Sequence, residues 1–196
     1  MTFLCPIRHN HVALSLKVLL EEANMDFFET VDKRYSVRSY LPDPVEDAKL
    51  QQVLETARLA PTAATRQPFR LIVIHTAGKE AELRKVYAAG WMAQAPLVIC
   101  ACAVPSQGWR HFHTGKNYCD VDVAIVMDHL ILAATSLGLG TCWIAAFDHS
   151  ELRRMLHLPD ELEPVVLTPL GYPADNPKPK VRRSLDDLVR YERWNE

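Results

Sequence analysis

The chain contains no G-x-G-x-x-G run, so it lacks the glycine turn that seats a dinucleotide pyrophosphate at a helix start. It also has no G-x-x-x-x-G-K-[ST] phosphate loop and no G-x-S-x-G nucleophile elbow. No His-x-x-x-His pair sits beside a helical glutamate. His111-x-His113 has Cys119 nearby but no fourth ligand at a convincing spacing, so a polar surface loop is the better account and no metal is expected. An excess of one charge is missing as well. The formal net charge is -2 with acids and bases interspersed, which leaves no basic face for nucleic acid.

Long apolar runs are absent. No window reaches the ~18 uninterrupted apolar residues of a membrane span. The nearest, Val121 to Leu139, includes Asp122, Asp128 and His129 and reads as a buried helix. In residues 1–24, His9, Asn10, His11 and Lys17 interrupt any apolar stretch of the kind a secretory signal needs. The five cysteines (Cys5, Cys100, Cys102, Cys119, Cys142) are odd in number and follow no disulfide spacing. That argues for reduced thiols and a cytoplasmic protein. Alternation places Cys100 and Cys102 on one face of a strand, as buried structural thiols.

What remains is an ordinary globular composition, 48% hydrophobic and 23% charged, in 196 residues, enough for one domain with a real core. Residues 1–24 read as an N-terminal extension, with a short amphipathic helix over Val12 to Ala23, and the domain proper as 25–196. Asp26 to Asp32 suggests a first helix. Asp43-Pro44-Val45-Glu46 signals a helix start, with Asp43 as N-cap and Glu46 closing a capping box. Leu50, Val53, Leu54 and Ala57 then repeat at helical spacing, up to Ala60-Pro61.

Leu71 to His75 and Leu97 to Val104 read as buried strands, with an amphipathic helix over Lys79 to Ala89 between them. Val121 to Leu137 is a helix that is apolar all round, stopped at Gly138. Thr141 to Phe147 reads as a short strand. His149 to Leu156 reads as a helix with His149 or Ser150 near its start, and Val165 to Leu170 as a last strand. Helices alternating with strands imply a mixed α/β or α+β sheet.

Four segments hold candidate chemistry. Arg34, Ser36 and Arg38 alternate onto one face, where two guanidinium forks and a hydroxyl suit a phosphate. By spacing alone, a solvated basic turn accounts for them better. Thr62 to Gln67 is a small-residue loop stiffened by Pro61 and Pro68. Gly138 to Phe147 offers small residues whose backbone can approach a ligand edge. Lys180 and Arg182 form a second alternating basic pair.

In this order the segments KRYSVRSY (33–40), PVEDAKLQQVLETARLAPTAATRQPF (44–69), DVAIVMDHLILAATSLGLGTCWIAAF (122–147) and VVLTPLGYPADNPKPKVRRSL (165–185) resemble the nitroreductase family of FMN enzymes. The resemblance runs from Met25 to the end. It implies an α+β fold, a three-layer sandwich whose mixed, mostly antiparallel sheet is flanked by helices. It also implies an intertwined homodimer built around the helix at 122–137.

By the same resemblance, Arg34, Tyr35, Ser36, Arg38, Lys180 and Arg182 grip FMN at its phosphate, ribityl chain or ring. Arg38 stabilises charge on the reduced ring. Thr62, Ala63, Ala64, Thr65 and Gln67 form a loop beside the ring, supplied by the second chain, and Trp143, Ile144, Ala145 and Ala146 run along its reactive edge. Two departures stand out: Thr65 where relatives commonly have asparagine, and Ala145-Ala146 where many have a glycine-containing pair. The implied activity is reduction of nitroaromatic, quinone or similar electron-poor acceptors with NADH or NADPH. The alternative is a flavin-binding sensor or carrier without fast turnover.

Overall fold

The computed structural model describes residues 25–194. The expected extension at 1–24 and its helix lie outside them. The first helix, α1 (Phe27–Lys33), ends at Arg34. α2 (Asp47–Arg58) turns its Val53 and Ala57 inward, with Leu50 and Leu54 beside them, as the helical spacing requires.

The expected cap is not used. The helix begins four residues later than Asp43, with Glu46 at the N-cap position and no side-chain capping bond. The Glu46 carboxylate instead accepts from the Tyr172 hydroxyl at 2.6 Å and lies 3.7 Å from the Lys49 ammonium. A charge-assisted tertiary contact thus takes the oxygen that a capping box would have needed.

The strands β1 (Phe69–His75), β2 (Leu97–Ala103), β3 (Gly140–Thr141) and β4 (Glu163–Gly171) form one sheet in the order β1-β2-β4-β3. Every ladder in it is antiparallel. The mixed character expected of the sheet is confined to one parallel bridge, Ser36 to Thr141. β2 is buried along its whole length because both faces are covered. On one face, Ile99 and Ala101 meet Val53 and Ala57 of α2 and Val123, Val126, Met127 and Leu130 of α4 (Cys119–Ser136). On the other, Val98, Cys100 and Cys102 meet Leu83 and Val86 of α3 (Glu80–Val86) and Leu152 of α5 (His149–Leu156). Helix, sheet and helix therefore make three layers. The Cys100 and Cys102 thiols share a face 3.5 Å apart, deep in the core.

α4 ends as the glycine predicted. Gly138 has φ +75, its N–H donates to Thr135 O, and the Leu139 N–H donates to Ala134 O, which closes a Schellman turn. The stretch expected as a strand over 141–147 is extended only at Thr141 and at a bridge between Ile144 and Leu167. Between them the Cys142 N–H turns to the Thr168 hydroxyl, 3.1 Å away, and leaves the ladder. α5 starts at His149 as expected, and Asp148 caps it, its carboxylate accepting the Glu151 N–H. The short helix α6 (Leu185–Leu188) lies in the exposed C-terminal stretch. No helix among the described residues is long and apolar enough to cross a membrane.

Candidate functional site

Residues 35–41 run between two parts of the sheet. The Val37 N–H donates to Thr141 O at 2.9 Å, the Leu41 N–H to Tyr172 O, and the Ala174 N–H to Ser39 O. Val37 and Tyr40 point inward and are buried. Arg34, Ser36 and Arg38 instead line a cleft of about 340 Å³. Tyr35, Lys180 and Arg182 line the same cleft. Six of the expected site residues, from opposite ends of the chain, are therefore neighbours.

The register of this wall depends on Gly140. A Cβ there would lie 2.7 Å from Val37 Cγ2, so only glycine lets Val37 seat against β3.

Asp175 was not anticipated. It accepts the Arg38 N–H at 2.8 Å through Oδ2, and the Tyr35 hydroxyl donates to its carbonyl oxygen at 2.8 Å. Burial, then the Asp175 charge and the hydrogen bond to it, push the Tyr35 hydroxyl up to about 12. Its signal in the sequence was a lone acid in the basic stretch between Pro173 and Lys180.

Cys142 was also missed as a neighbour of this wall. Burial raises its thiol, and the Arg38 charge opposes that shift. The Lys180 ammonium caps α1 by donating to Val31 O and Asp32 O, which pins the C-terminal segment to the wall. Arg34 and Arg38 form no ion pair among the described residues.

The 143–146 segment continues from β3. Trp143, Ala145 and Ala146 are exposed, whereas the Ile144 side chain is in the core. The Ile144 N–H and C=O are both paired with Leu167, so its backbone has no free donor.

The remaining group, Thr62, Ala63, Ala64, Thr65 and Gln67, lies elsewhere. The Ala63 N–H donates to Asp122 Oδ1 in the first turn of α4, and Arg66 donates to Gly108 O. Arg34, by contrast, shares a hollow with Gly138 to Gly140, just past the far end of α4. From Asp122 the helix runs on to Ser136, about 21 Å at 1.5 Å per residue. Within one chain the loop does not reach the basic cleft. The loop is itself strained: Ala64, Thr65 and Gln67 have φ of 53, 53 and 47. Each such non-glycine residue costs on the order of 1–3 kcal/mol, and such residues cluster at functional sites.

His111 and His113 sit in an exposed turn. There the His111 ring nitrogen accepts backbone N–H groups of His113 and Thr114. No group of metal-ligating side chains forms among the described residues.

The sequence profile of the nitroreductase family matches residues 31–91 and 80–172. The chain belongs to the nitroreductase family. A solved nitroreductase family protein from Clostridium difficile is 40% identical, with a TM-score of 0.78 over 87% of this chain and 100% of that one. A Methanothermobacter thermautotrophicus protein, whose name gives NADH dehydrogenase and NAD(P)H nitroreductase, is 28% identical over 94% of this chain and 96% of its own length. The FMN reductase [NAD(P)H] of Bacillus subtilis is 29% identical over 75% of this chain and 66% of its own.

For a nitroreductase-family chain the donor set of the cleft fits a phosphate-bearing cofactor. Two guanidinium groups without ion-pair partners among the described residues, a hydroxyl and a further arginine line one space. The one carboxylate there, Asp175, is engaged by Tyr35 and by the Arg38 backbone.

Proposed function

We propose that this chain is an FMN-dependent oxidoreductase that uses NADH or NADPH to reduce nitroaromatic, quinone or similar electron-poor acceptors. The observation that carries this reading is the cleft in which Arg34, Ser36, Arg38 and Arg182 converge. Arg34, Ser36 and Arg182 would hold the phosphate through charge-assisted bonds. Arg38 is oriented by its own backbone bond to Asp175 and by a guanidinium contact with Ser36 O at 3.4 Å. It would keep a positive charge beside the ring. Tyr35 fixes Asp175, and Lys180 fixes the C-terminal segment that closes the cleft. FMN bound there supplies the hydride chemistry that links a reduced nicotinamide nucleotide to an acceptor in two successive half-reactions. The exposed Trp143 and the small, exposed Ala145 and Ala146 would line the approach to its reactive edge.

We infer that the working unit is a homodimer with sites built from both chains. Two observations support this. The ring-side loop and the basic cleft lie at opposite ends of α4, so a second copy running the other way would bring one chain's loop to the other's cleft. In addition, α4 leaves Val121 and Asp128 exposed and Ile125 and Leu132 half-buried at helical spacing, a mostly apolar stripe. The C-terminal stretch adds Val181, Leu185, Leu188, Tyr191 and Trp194, all exposed. Exposed apolar residues in this number support an interface there.

The test is anaerobic mixing of the flavin-loaded protein with NADH and NADPH separately, followed by menadione or a nitrofuran. Bleaching of the flavin by a donor and its return with the acceptor is expected. Bound flavin that neither donor bleaches would leave a sensor or carrier instead. Arg38→Ala should release FMN, and unchanged cofactor content would remove Arg38 from the site.

A further inference from the structure

Asp122, in the first turn of α4, is 2% exposed. Its Oδ1 accepts the Ala63 N–H at 2.8 Å. Its Oδ2 is the one buried side-chain oxygen or nitrogen without a partner among the described residues. A buried carboxylate is costly unless it is paired and fully hydrogen-bonded, so one kept with a single bond points to a need for its position. The loop it touches explains the need. Ala64, Thr65 and Gln67 all have left-handed backbone without being glycine. The other restraints on the loop reach elsewhere. Thr62 Oγ1 accepts the Gln67 N–H within the loop, Gln67 Nε2 donates to Arg58 O at the end of α2, and Arg66 reaches Gly108 O. Among the described residues, the Ala63–Asp122 bond is the hydrogen bond that ties the loop to α4.

We propose that Asp122 is a positioning residue. Its carboxylate holds the 62–67 loop in its left-handed shape and ties that shape to the helix across which the two chains would meet. Its effect on FMN rests on the composite-site reading above; its effect on the loop does not.

Amide hydrogen exchange of residues 62–67 tests it, with and without added FMN, in the wild type and three full-length variants. Asp122→Ala should speed exchange of the Thr65 and Gln67 amides about tenfold or more, the scale of one lost hydrogen bond to a charged group. It should weaken FMN binding comparably and shift the bound flavin's absorption, while the β2 amides stay protected. Asp122→Asn keeps an acceptor oxygen for the Ala63 N–H and should restore the loop. Ala63→Pro removes the donor instead. Thr62 is already extended (φ -133, ψ 155), as the residue before a proline must be, so this variant should fold and should loosen the loop like Asp122→Ala. It also carries the test if Asp122→Ala fails to fold.

Unchanged loop exchange in Asp122→Ala or Ala63→Pro overturns the proposal. So does a loop as loose in Asp122→Asn as in Asp122→Ala, or a loosened loop with FMN binding unchanged in a wild type that binds FMN. If the loop loosens as expected but the wild type binds no FMN, the flavin reading fails and the positioning of the loop stands.

Discussion

The two ends of α4 hold candidate residues assembled in opposite ways. Past its C-terminal end, a cleft is made by side-chain charge. Arg34, Ser36 and Arg38 come from an extended segment, Lys180 and Arg182 from the chain terminus, and Asp175 stitches the wall together. At its N-terminal end, a loop of small residues is shaped by its backbone, with three left-handed residues and one buried carboxylate. The first region gathers positive charge of a kind that suits an anion. The second has little charge to offer and exposes Ala64, Thr65 and Gln67 to whatever lies opposite. They lie about 21 Å apart along α4, and the proposed homodimer would join them as two halves of one site.

The sharpest way to break this comparison is to stop the chains from meeting. Leu132→Glu places a charge in the outward stripe of α4, and burying it unpaired costs on the order of 3–5 kcal/mol. Sedimentation should show a monomer, with FMN lost along with the dimer. A dimer that still holds FMN would mean the two ends of α4 do not share a site across this face.

A smaller effect should separate the ends. Gly140→Ala drives a methyl into Val37, 2.7 Å from its Cγ2, and should cost about 1–3 kcal/mol in denaturant unfolding, the usual scale of overpacking. It should weaken FMN binding by moving Ser36 and Arg38, yet leave exchange of the 62–67 amides at the wild-type rate. If those amides respond equally, the ends are coupled within one chain.

The smallest effect is a pH dependence confined to the cleft. Tyr35 is raised from its ordinary 10.0 to about 12 in the folded protein. The neutral phenol is thus favoured by folding. Its contribution is complete below about pH 10 and lost as pH rises through about 12. Tyr35→Phe should flatten alkaline unfolding across that window only. An unchanged alkaline midpoint would show that Asp175 does not depend on the Tyr35 hydroxyl.

Much of this was legible because it is local. The helical repeat of Leu50, Val53, Leu54 and Ala57, the strand at Leu97 to Val104 and the Gly138 stop depend on near neighbours and came out as read. The errors fall where distant residues compete. Asp43 lost the α2 cap because Tyr172 and Lys49 engage Glu46, and the strand after β3 broke because Thr168 takes the Cys142 N–H. Asp175 escaped notice for the same reason. A lone carboxylate near basic residues looks like a solvated turn until Tyr35 and Arg38 are seen to converge on it. The buried, doubly bonded Ile144 shows the converse, since a residue within a recognisable segment can have its donor already spent.

The three layers came with the family resemblance; periodicity itself was enough for the run of helices and strands and for the pairing of Arg34, Ser36 and Arg38 on one face. These follow from repeats of two and 3.6 residues and from short-range chemistry. Folding in three dimensions settled what spacing cannot express. It brought Lys180 and Arg182 to Arg34, placed Asp175 behind Arg38, and set the 62–67 loop at the opposite end of α4. Each of these depends on contacts between residues dozens of positions apart, which no local pattern encodes.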